Sequence, residues 1–495
     1  MKTQQTEQEF MLSKDAIKFD VDDYTAIYHR MLGGLTLLDK KSEKILAGFK
    51  NGKLVDSSLL ERDAENRTEE LIQQLILRNL IESPHESSPS IQSNKPNNQV
   101  SIIQLVMANA CNFGCTYCFE GVQGQELSAD EDLKKIDASR IRAPEEIKID
   151  INDSMYASEE RLTQQYDPKN RRMKPGDGVR YVETSLEVAK STGVQEVMIQ
   201  FFGGEPLLNW KTIKAVLNEF GHEFDGIKIQ YSTVTNGSLI TDEVSRVFSE
   251  YEVAVCVSVD SPNSPSRPLK DGGDSMPIVM EGLRMLQKYN NRVAINSALT
   301  TSTWDDFNNS IVDLAVEVGS HEIGVVVDFD PTFYASYGTD NIVEKLWGVI
   351  EYGREQGVVL TGYWHQIFQV MLGFNTIEHR GFKNCSAKGA QFSIEPNGSV
   401  FSCKAGSTII GNIQDGKKLL DTDGYKSHSE LRTNNPEFCK GCDIEGFCAG
   451  LCLGSLEKKF GSLDSVEKGA CDFYRKITKK HIESVKPYEI ATLEI

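Results

Sequence analysis

The sequence predicts an α/β fold with a parallel sheet at its centre. Three observations carry that expectation. From Ile102 onward, apolar strand-like runs at 102–107, 196–202, 227–233, 253–259, 292–299 and 322–328 alternate with helical periodicities. The helical stretches lie near 178–192, 210–221, 239–250, 276–289, 305–318 and 341–356. Six βα units of this kind imply a parallel sheet with its working site at the C-terminal strand ends. The short motifs that carry chemistry fall at those ends. Finally, ten of the eleven cysteines fall in two groups, 111–118 and 385–471.

Composition narrows the function classes. A chain of 495 residues, 39% hydrophobic, buries a large core and is expected to divide into two to four domains. Its net charge of −19 argues against a nucleic-acid partner. No apolar run reaches transmembrane length, and the start MKTQQTEQEF has no signal-peptide pattern, so a cytoplasmic protein without a membrane partner is expected. In a reducing compartment, cysteines point to metal or redox use rather than disulfides. Cys256 stands apart in the run Val253–Val257 and is expected to be a core thiol.

Residues 1–82 form the first expected domain. Thr25–Tyr28 and Leu35–Leu38 flank Gly33-Gly34, which predicts a hairpin. Helices are expected near Lys41–Phe49 and from Thr68, the second with Leu71, Ile72, Leu75, Ile76, Leu80 and Ile81 on one face. A hairpin followed by helices resembles the winged-helix recognition element of enzymes that modify ribosomally made peptides (RiPPs). That resemblance implies a leader peptide added as a strand at the sheet edge. An unrelated small structural domain is the alternative. Residues 83–99, rich in Ser, Pro and Asn, read as a linker.

The expected barrel domain, 100–370, begins with the run Ile102–Met107 and then Cys111-Asn112-Phe113-Gly114-Cys115-Thr116-Tyr117-Cys118. Three cysteines spaced C-x3-C-x2-C in a loop after a strand can offer three thiolates to three irons of one cubane, leaving the fourth iron open. Zinc is the other reading of three cysteines. Gly203-Gly204-Glu205-Pro206 follows the second strand, Thr235-Asn236-Gly237 the third, and Ser258-Val259-Asp260 the fourth, with Arg267 beyond it. The glycines allow close backbone approach to a ligand, and the carboxylate can accept from an ammonium. Residues 121–174 are polar without steady period and read as an insertion, either a lid or clamp at the barrel mouth or a disordered surface loop.

The cysteine spacing together with the Gly203–Pro206 motif resembles the radical S-adenosylmethionine (SAM) superfamily. It implies a partial (β/α)6 barrel of TIM type and a [4Fe–4S] cluster on Cys111, Cys115 and Cys118. The cofactor would lie among Tyr117, Phe119, Gly203, Gly204, Glu205, Pro206, Asn236, Ser258, Asp260 and Arg267. Tyr117 would sit near the adenine, and Ser258 and Arg267 near the carboxylate. Phe202 departs from the glutamine that sulfatase-maturating members commonly carry before this motif.

The last expected domain, 371–495, holds Cys385, Cys403, Cys439, Cys442, Cys448, Cys452 and Cys471. Their intervals, C-x12-G-x4-C followed by C-x2-C-x5-C-x3-C and a final cysteine, resemble the SPASM domain, which implies two auxiliary clusters and three in all. By that resemblance Cys439, Cys442, Cys448 and Cys471 complete one cluster. Cys385, Cys403 and Cys452 remain for the other, with one iron open to a substrate thiolate, to His379, or to a water or another side chain. Paired zinc knuckles are the competing reading.

These features together predict a maturase for a ribosomally made precursor peptide, with flavodoxin or ferredoxin as reductant. Thioether formation is the first expectation, carbon–carbon crosslinking the second, and epimerisation or sulfatase-type maturation follow. A non-catalytic iron–sulfur carrier or peptide-binding scaffold is the contrasting class. The intact Gly203–Pro206 motif argues against it.

Overall fold

The computed structural model describes residues 11–47, 49–50, 53–54, 67–82, 99–118, 171–372, 385–406, 408–430, 437–448, 452, 454, 467–486 and 492–493. Phe119, His379, the 83–98 linker and most of the 121–174 insertion lie outside the described residues.

The N-terminal sheet has three antiparallel strands, β1 (Ala16–Val21), β2 (Tyr24–His29) and β3 (Gly33–Leu38). The expected hairpin is β2–β3, and β1 adds to it. Gly33 and Gly34 leave its turn at φ of 81° and 73°, a region where glycine carries no Cβ penalty. Helices α1 (Lys40–Ala47) and α2 (Arg67–Leu77) cover the sheet. Leu71, Leu75, Leu80 and Ile81 bury against Ile27, Leu38 and Leu46 as a small separate core. Ile76, expected on that face, is 40% exposed, because it falls one position past the Leu71–Leu75 stripe. Thr492–Leu493 returns to pair in parallel with Leu37–Leu38, so one sheet edge is taken and β1 forms the other.

All six predicted barrel strands form: β4 (Ile102–Ala108), β5 (Glu196–Gly203), β6 (Ile227–Thr235), β7 (Ala254–Ser258), β8 (Val293–Leu299) and β9 (Glu322–Val327). Two further parallel strands extend the sheet. β10 (Val359–Thr361) pairs with β9, and β11 (Gln391–Ile394) pairs with β4 at the opposite edge. The parallel order is β10-β9-β8-β7-β6-β5-β4-β11. The hairpin expected around residues 392–402 is β11 with β12 (Ser399–Phe401), and β13 (Ile409–Asn412) pairs next.

Helices α3 (Pro175–Ser191), α4 (Trp210–Phe220), α5 (Asp242–Glu250), α6 (Met276–Lys288), α7 (Ser310–Glu317), α8 (Pro331–Tyr337) and α9 (Thr339–Glu355) follow in order. Alternate strand residues such as Val197, Ile199 and Phe201 bury in the main core, while Met198, Gln200 and Phe202 on the other side are half-buried. Cys256 shares that second face with Ser258, and burial, with the Glu322 charge second, pushes its thiol up to about 12. A Cβ on Gly282 of α6 would meet the Gly237 carbonyl at 2.2 Å, so the helix packs directly on the turn after β6.

Beyond the barrel, α10 (Tyr363–Leu372) packs on β3, and α12 (Lys468–Glu483) packs on α8, α9 and α10; α11 (Asp423–Ser429) lies between them in sequence. No helix among the described residues is long and apolar enough to cross a membrane.

Candidate active site

The cysteine loop leaves β4 and is stitched to the neighbouring strand ends through its backbone. Gly204 N–H donates to Ala108 O and Glu205 N–H to Ala110 O, both at 2.8 Å. Gly114 N–H donates to Pro268 O at 2.8 Å and Thr116 N–H to Ser266 O at 2.9 Å. Gly203 has φ 137°, and a Cβ there would lie 2.4 Å from Ala108 O, so only glycine permits this approach. Cys111, Cys115 and Cys118 consequently open on one cavity of about 140 Å³ with Gly203, Gly204, Asn236, Ser258, Asp260, Arg267 and Lys404. Val326 at the end of β9 lines the same cavity, which requires the sheet to curl from β4 round to β9.

The polar residues expected at the strand ends form two networks. Glu205 is fully buried and accepts from Thr235 Oγ1 at 2.7 Å, Asn236 N at 2.8 Å and Leu207 N at 3.0 Å. Burial raises its pKa against the pull of those three bonds. Its carboxylate ties the loop after β5 to the turn after β6, and the cavity wall here is Gly203 and Gly204 rather than Glu205 or Pro206. Asn236 Nδ2 donates to Asn112 Oδ1 at 2.8 Å and lies 3.7 Å from Cys111 Sγ. Asn112 Nδ2 in turn donates to Ser238 Oγ at 2.8 Å.

The second network centres on Asp260. It accepts from Tyr117 OH, from Ser266 Oγ at 3.0 Å and from Ala298 N at 3.0 Å. Arg267 Nη1 donates to Tyr117 OH at 3.0 Å. Burial opposes the Arg267 charge, yet Cys115, Tyr117 and Asp260 outweigh it and hold the guanidinium well above its ordinary range.

The tail cysteines fall in two neighbourhoods. Tyr363 at the start of α10 is 47% exposed, and the charges of Cys385, Cys452 and Cys403 act on its hydroxyl. Those three thiols therefore lie in one neighbourhood. Cys442 lies near Arg475, which stands one turn after Cys471 on α12, and the Cys439–Cys448 loop rests on the N-terminal hairpin. Tyr28 OH donates to Asp443 O at 3.1 Å, and Gly446 N–H donates to Arg30 O at 3.0 Å.

A family profile for the radical SAM superfamily matches residues 105–314. The chain is 36% identical over 491 residues to the radical SAM cyclopropyl synthase TigE of Paramaledivibacter caminithermalis, covering 97% of both proteins. The chain belongs to the radical SAM superfamily. This radical SAM enzyme is also 26% identical, over 284 residues, to a cysteine-type anaerobic sulfatase-maturating enzyme of Clostridium perfringens, covering 52% of this chain and 74% of that protein. A solved structure described as native anSMEcpe with bound AdoMet and Cp18Cys peptide superposes with a TM-score of 0.56 at 19% identity, over 77% of this chain and 97% of that one. That likeness shows a shared fold.

Membership implies SAM and a [4Fe–4S] cluster, and the residues present fit that group. Burial raises the Cys111 thiol, with Cys115, Glu205 and Cys118 adding to it, and pushes Cys115 up to about 12. With Cys118 on the same cavity, cationic iron would let these thiols ionise together. Among the described residues no three Cys, His, Asp or Glu side chains converge on a single ion. A cubane asks for no such convergence, since each thiolate takes its own iron.

Sequence reasoning missed Lys404 and Tyr363. Neither sits in a motif, and both reach their neighbours through tertiary contacts alone.

Proposed function

We propose that this radical SAM enzyme is a peptide maturase that closes a cyclopropyl ring in its substrate. The observation carrying this reading is the similarity to the cyclopropyl synthase TigE along nearly the whole chain, N-terminal domain and cysteine tail included. The sulfatase-maturating relatives, named for acting on a polypeptide, support a peptide substrate.

Bound at Cys111, Cys115 and Cys118, the cluster and SAM supply a 5′-deoxyadenosyl radical that removes one hydrogen atom from a substrate carbon. Gly203 and Gly204 would face the cofactor's amino group, and Asn236, Ser258, Asp260 and Arg267 of the same cavity would take up the rest, with Arg267 held as a fixed cation. Ring closure joins two carbons and removes a second hydrogen as a proton and an electron. Cys385, Cys403 and Cys452 would hold an auxiliary cluster able to take up that electron. Cys439, Cys442, Cys448 and Cys471 would hold a second auxiliary cluster. A leader peptide adds along β1, the sheet edge not taken by Thr492–Leu493. Flavodoxin or ferredoxin delivers the electron that starts the cycle.

The test is co-expression with the short reading frames beside the gene, followed by mass analysis. Cyclopropane and thioether formation both remove two hydrogens, so mass alone does not separate them. Upfield cyclopropyl protons by NMR with every cysteine thiol still open to alkylation support the ring. A lost thiol without those protons would replace it with a thioether, and an unmodified peptide would sink the maturase reading.

A further inference from the structure

A second cavity lies where α12 of the cysteine-rich tail crosses the edge of the N-terminal sheet. It holds about 300 Å³, and its walls come from β1, β2, the 443–444 loop and α12. The apolar wall is Phe19, Tyr28, Ile444 and Ile482. The Phe19 and Tyr28 rings stack with centroids 6.1 Å apart, and Tyr28 OH donates to Asp443 O at 3.1 Å, so this wall is fixed. The charged wall is Arg475, Lys476 and Lys479, with Asp443 as its one acid.

The three cations have acidic partners on the surface. Lys476 pairs with Asp340 at 2.6 Å and Asp472 at 2.9 Å, Arg475 with Asp472 at 3.4 Å, and Lys479 with Glu483 at 3.6 Å. None of those acids lines the cavity. An occupant therefore meets the lining charges first, three cations to one acid, in a chain whose net charge is −19.

Strand geometry says what kind of occupant fits. Among the described residues β1 pairs only with β2, so its outer edge is open to another strand. Alternate side chains of an added strand share the face that carries Phe19, the face on which α12 packs. Two such side chains stand about 6.6 Å apart. Lys479 Nζ lies 6.0 Å from the centre of the Phe19 ring, nearly the same span.

We propose that the cavity reads the leader strand on β1 through an apolar side chain and a carboxylate two residues apart. The apolar group rests against Phe19 and Tyr28, and the carboxylate lies at Lys476 and Lys479. This rests on the peptide-maturase reading above. The leader is then recognised jointly by the N-terminal sheet and by the last helix of the cysteine-rich tail.

The probe is a fluorescein-labelled synthetic copy of the leader of the precursor that co-expression shows to be processed. Its Kd for the reconstituted holoenzyme is read by anisotropy at fixed ionic strength. Leader residues are replaced one at a time, apolar ones by Ala and acids by Lys. One apolar position should lose about tenfold in affinity, and an acid two residues from it about fivefold. These changes lie on the peptide, so no folding defect of the enzyme produces them. On the enzyme, K479E should weaken the native leader about fivefold, and K476E/K479E further. K479E should prefer the acid-to-lysine leader over the native one, a reversal that a merely structural role does not give. K480E lies on the same helix, where Lys480 pairs with Glu344 at 2.8 Å outside the cavity, and should bind the leader within about twofold of wild type.

A native Kd in K476E/K479E overturns the proposal. An equal loss in K480E does the same, since it would assign the effect to the charge of the whole helix. A leader with no sensitive apolar–acid pair at that spacing also overturns it. Should K476E/K479E lose iron, K479E and the leader series decide by the same criteria. Self-association lost in place of leader affinity would give the cavity to a second copy and overturn the proposal. Wild-type enzyme that processes no precursor overturns the maturase reading, and this inference with it; a processed precursor whose leader binds wild-type and reversed enzyme alike overturns this inference alone.

Discussion

Glu205 is the strut on which the cofactor end of the cavity depends, and its removal has a calculable cost. Glu205→Ala leaves the Thr235 hydroxyl and the Asn236 and Leu207 amides without their acceptor. Each buried donor left unpaired costs about 1–3 kcal/mol, so three cost on the order of 5 kcal/mol. Part returns, because a carboxylate whose pKa is raised by burial is itself costly to keep ionised there. A net loss of about 3 kcal/mol is expected for the alanine variant, and about half that for Glu205→Gln, which keeps one acceptor oxygen. Urea unfolding of the reconstituted enzyme reads the stability. Amide exchange at Leu207 and Asn236 reads the local opening, which should quicken most in the alanine variant. Because Asn236 also holds Asn112 in the cysteine loop, SAM cleavage should fall in the same order. An alanine variant within about 1 kcal/mol of wild type, with native exchange at both amides, would refute the strut.

Cys111→Ala, Cys115→Ala or Cys118→Ala should abolish 5′-deoxyadenosine formation and lower iron by about 4 per chain, by the stoichiometry of one cubane; a native rate in any one of them contradicts the ligand assignment. Gly446→Val should drive a side chain into Met31, whose carbonyl would lie 2.2 Å from the new Cβ. It should cost one auxiliary cluster while sparing SAM cleavage, and unchanged iron would show that the N-terminal hairpin does not support the Cys439–Cys448 loop. His481, 2% exposed among Trp347, Trp364 and Phe368, is lowered to about 3, by burial first and then by His365 and Arg354. The unfolded chain binds that proton from about pH 6.5 downward and the native chain does not, so stability should fall by about 1.4 kcal/mol per pH unit between pH 6.5 and 3. His481→Phe should flatten this slope in denaturant titrations; equal slopes would exclude His481 as its source.

The parts of the fold legible in the sequence are those with a local period. The six central strands announce themselves as apolar runs between helical patterns, and each forms within about two residues of its expected bounds. The strands at both edges of the parallel sheet were less legible. Val359–Thr361 is three residues long, too short for a period, and Gln391–Ile394 reads correctly as half of a hairpin. Nothing local says that it also pairs with Ile102–Leu105. The return of Thr492–Leu493 to the N-terminal sheet is hidden for the same reason. At the site, cysteines and glycines are legible because spacing carries their chemistry. The part played by Glu205 was not, since a carboxylate in a glycine motif reads equally well as a ligand contact and as a strut. The product is not set by any local motif. The cysteine tail points first to a thioether, and a relative matched along nearly the whole chain is named for a cyclopropyl product.

The pairing of Gln391–Ile394 with β4 also bears on the electron route proposed above. Because β11 is in register with the strand that launches Cys111, the segment carrying Cys403 and Lys404 is fixed to the barrel by backbone hydrogen bonds. The spacing between the two cysteine groups is thereby set by sheet geometry, and a change at either group must be absorbed by side chains. The N-terminal hairpin grips the Cys439–Cys448 loop, and α10 packs on β3 while its first residue, Tyr363, lies in the neighbourhood of Cys385, Cys403 and Cys452. A peptide strand added at the N-terminal sheet would therefore press, through β3 and α10, on the cysteine set that borders Lys404. Binding energy gained far from the reacting carbon can in this way be used to hold that carbon in place.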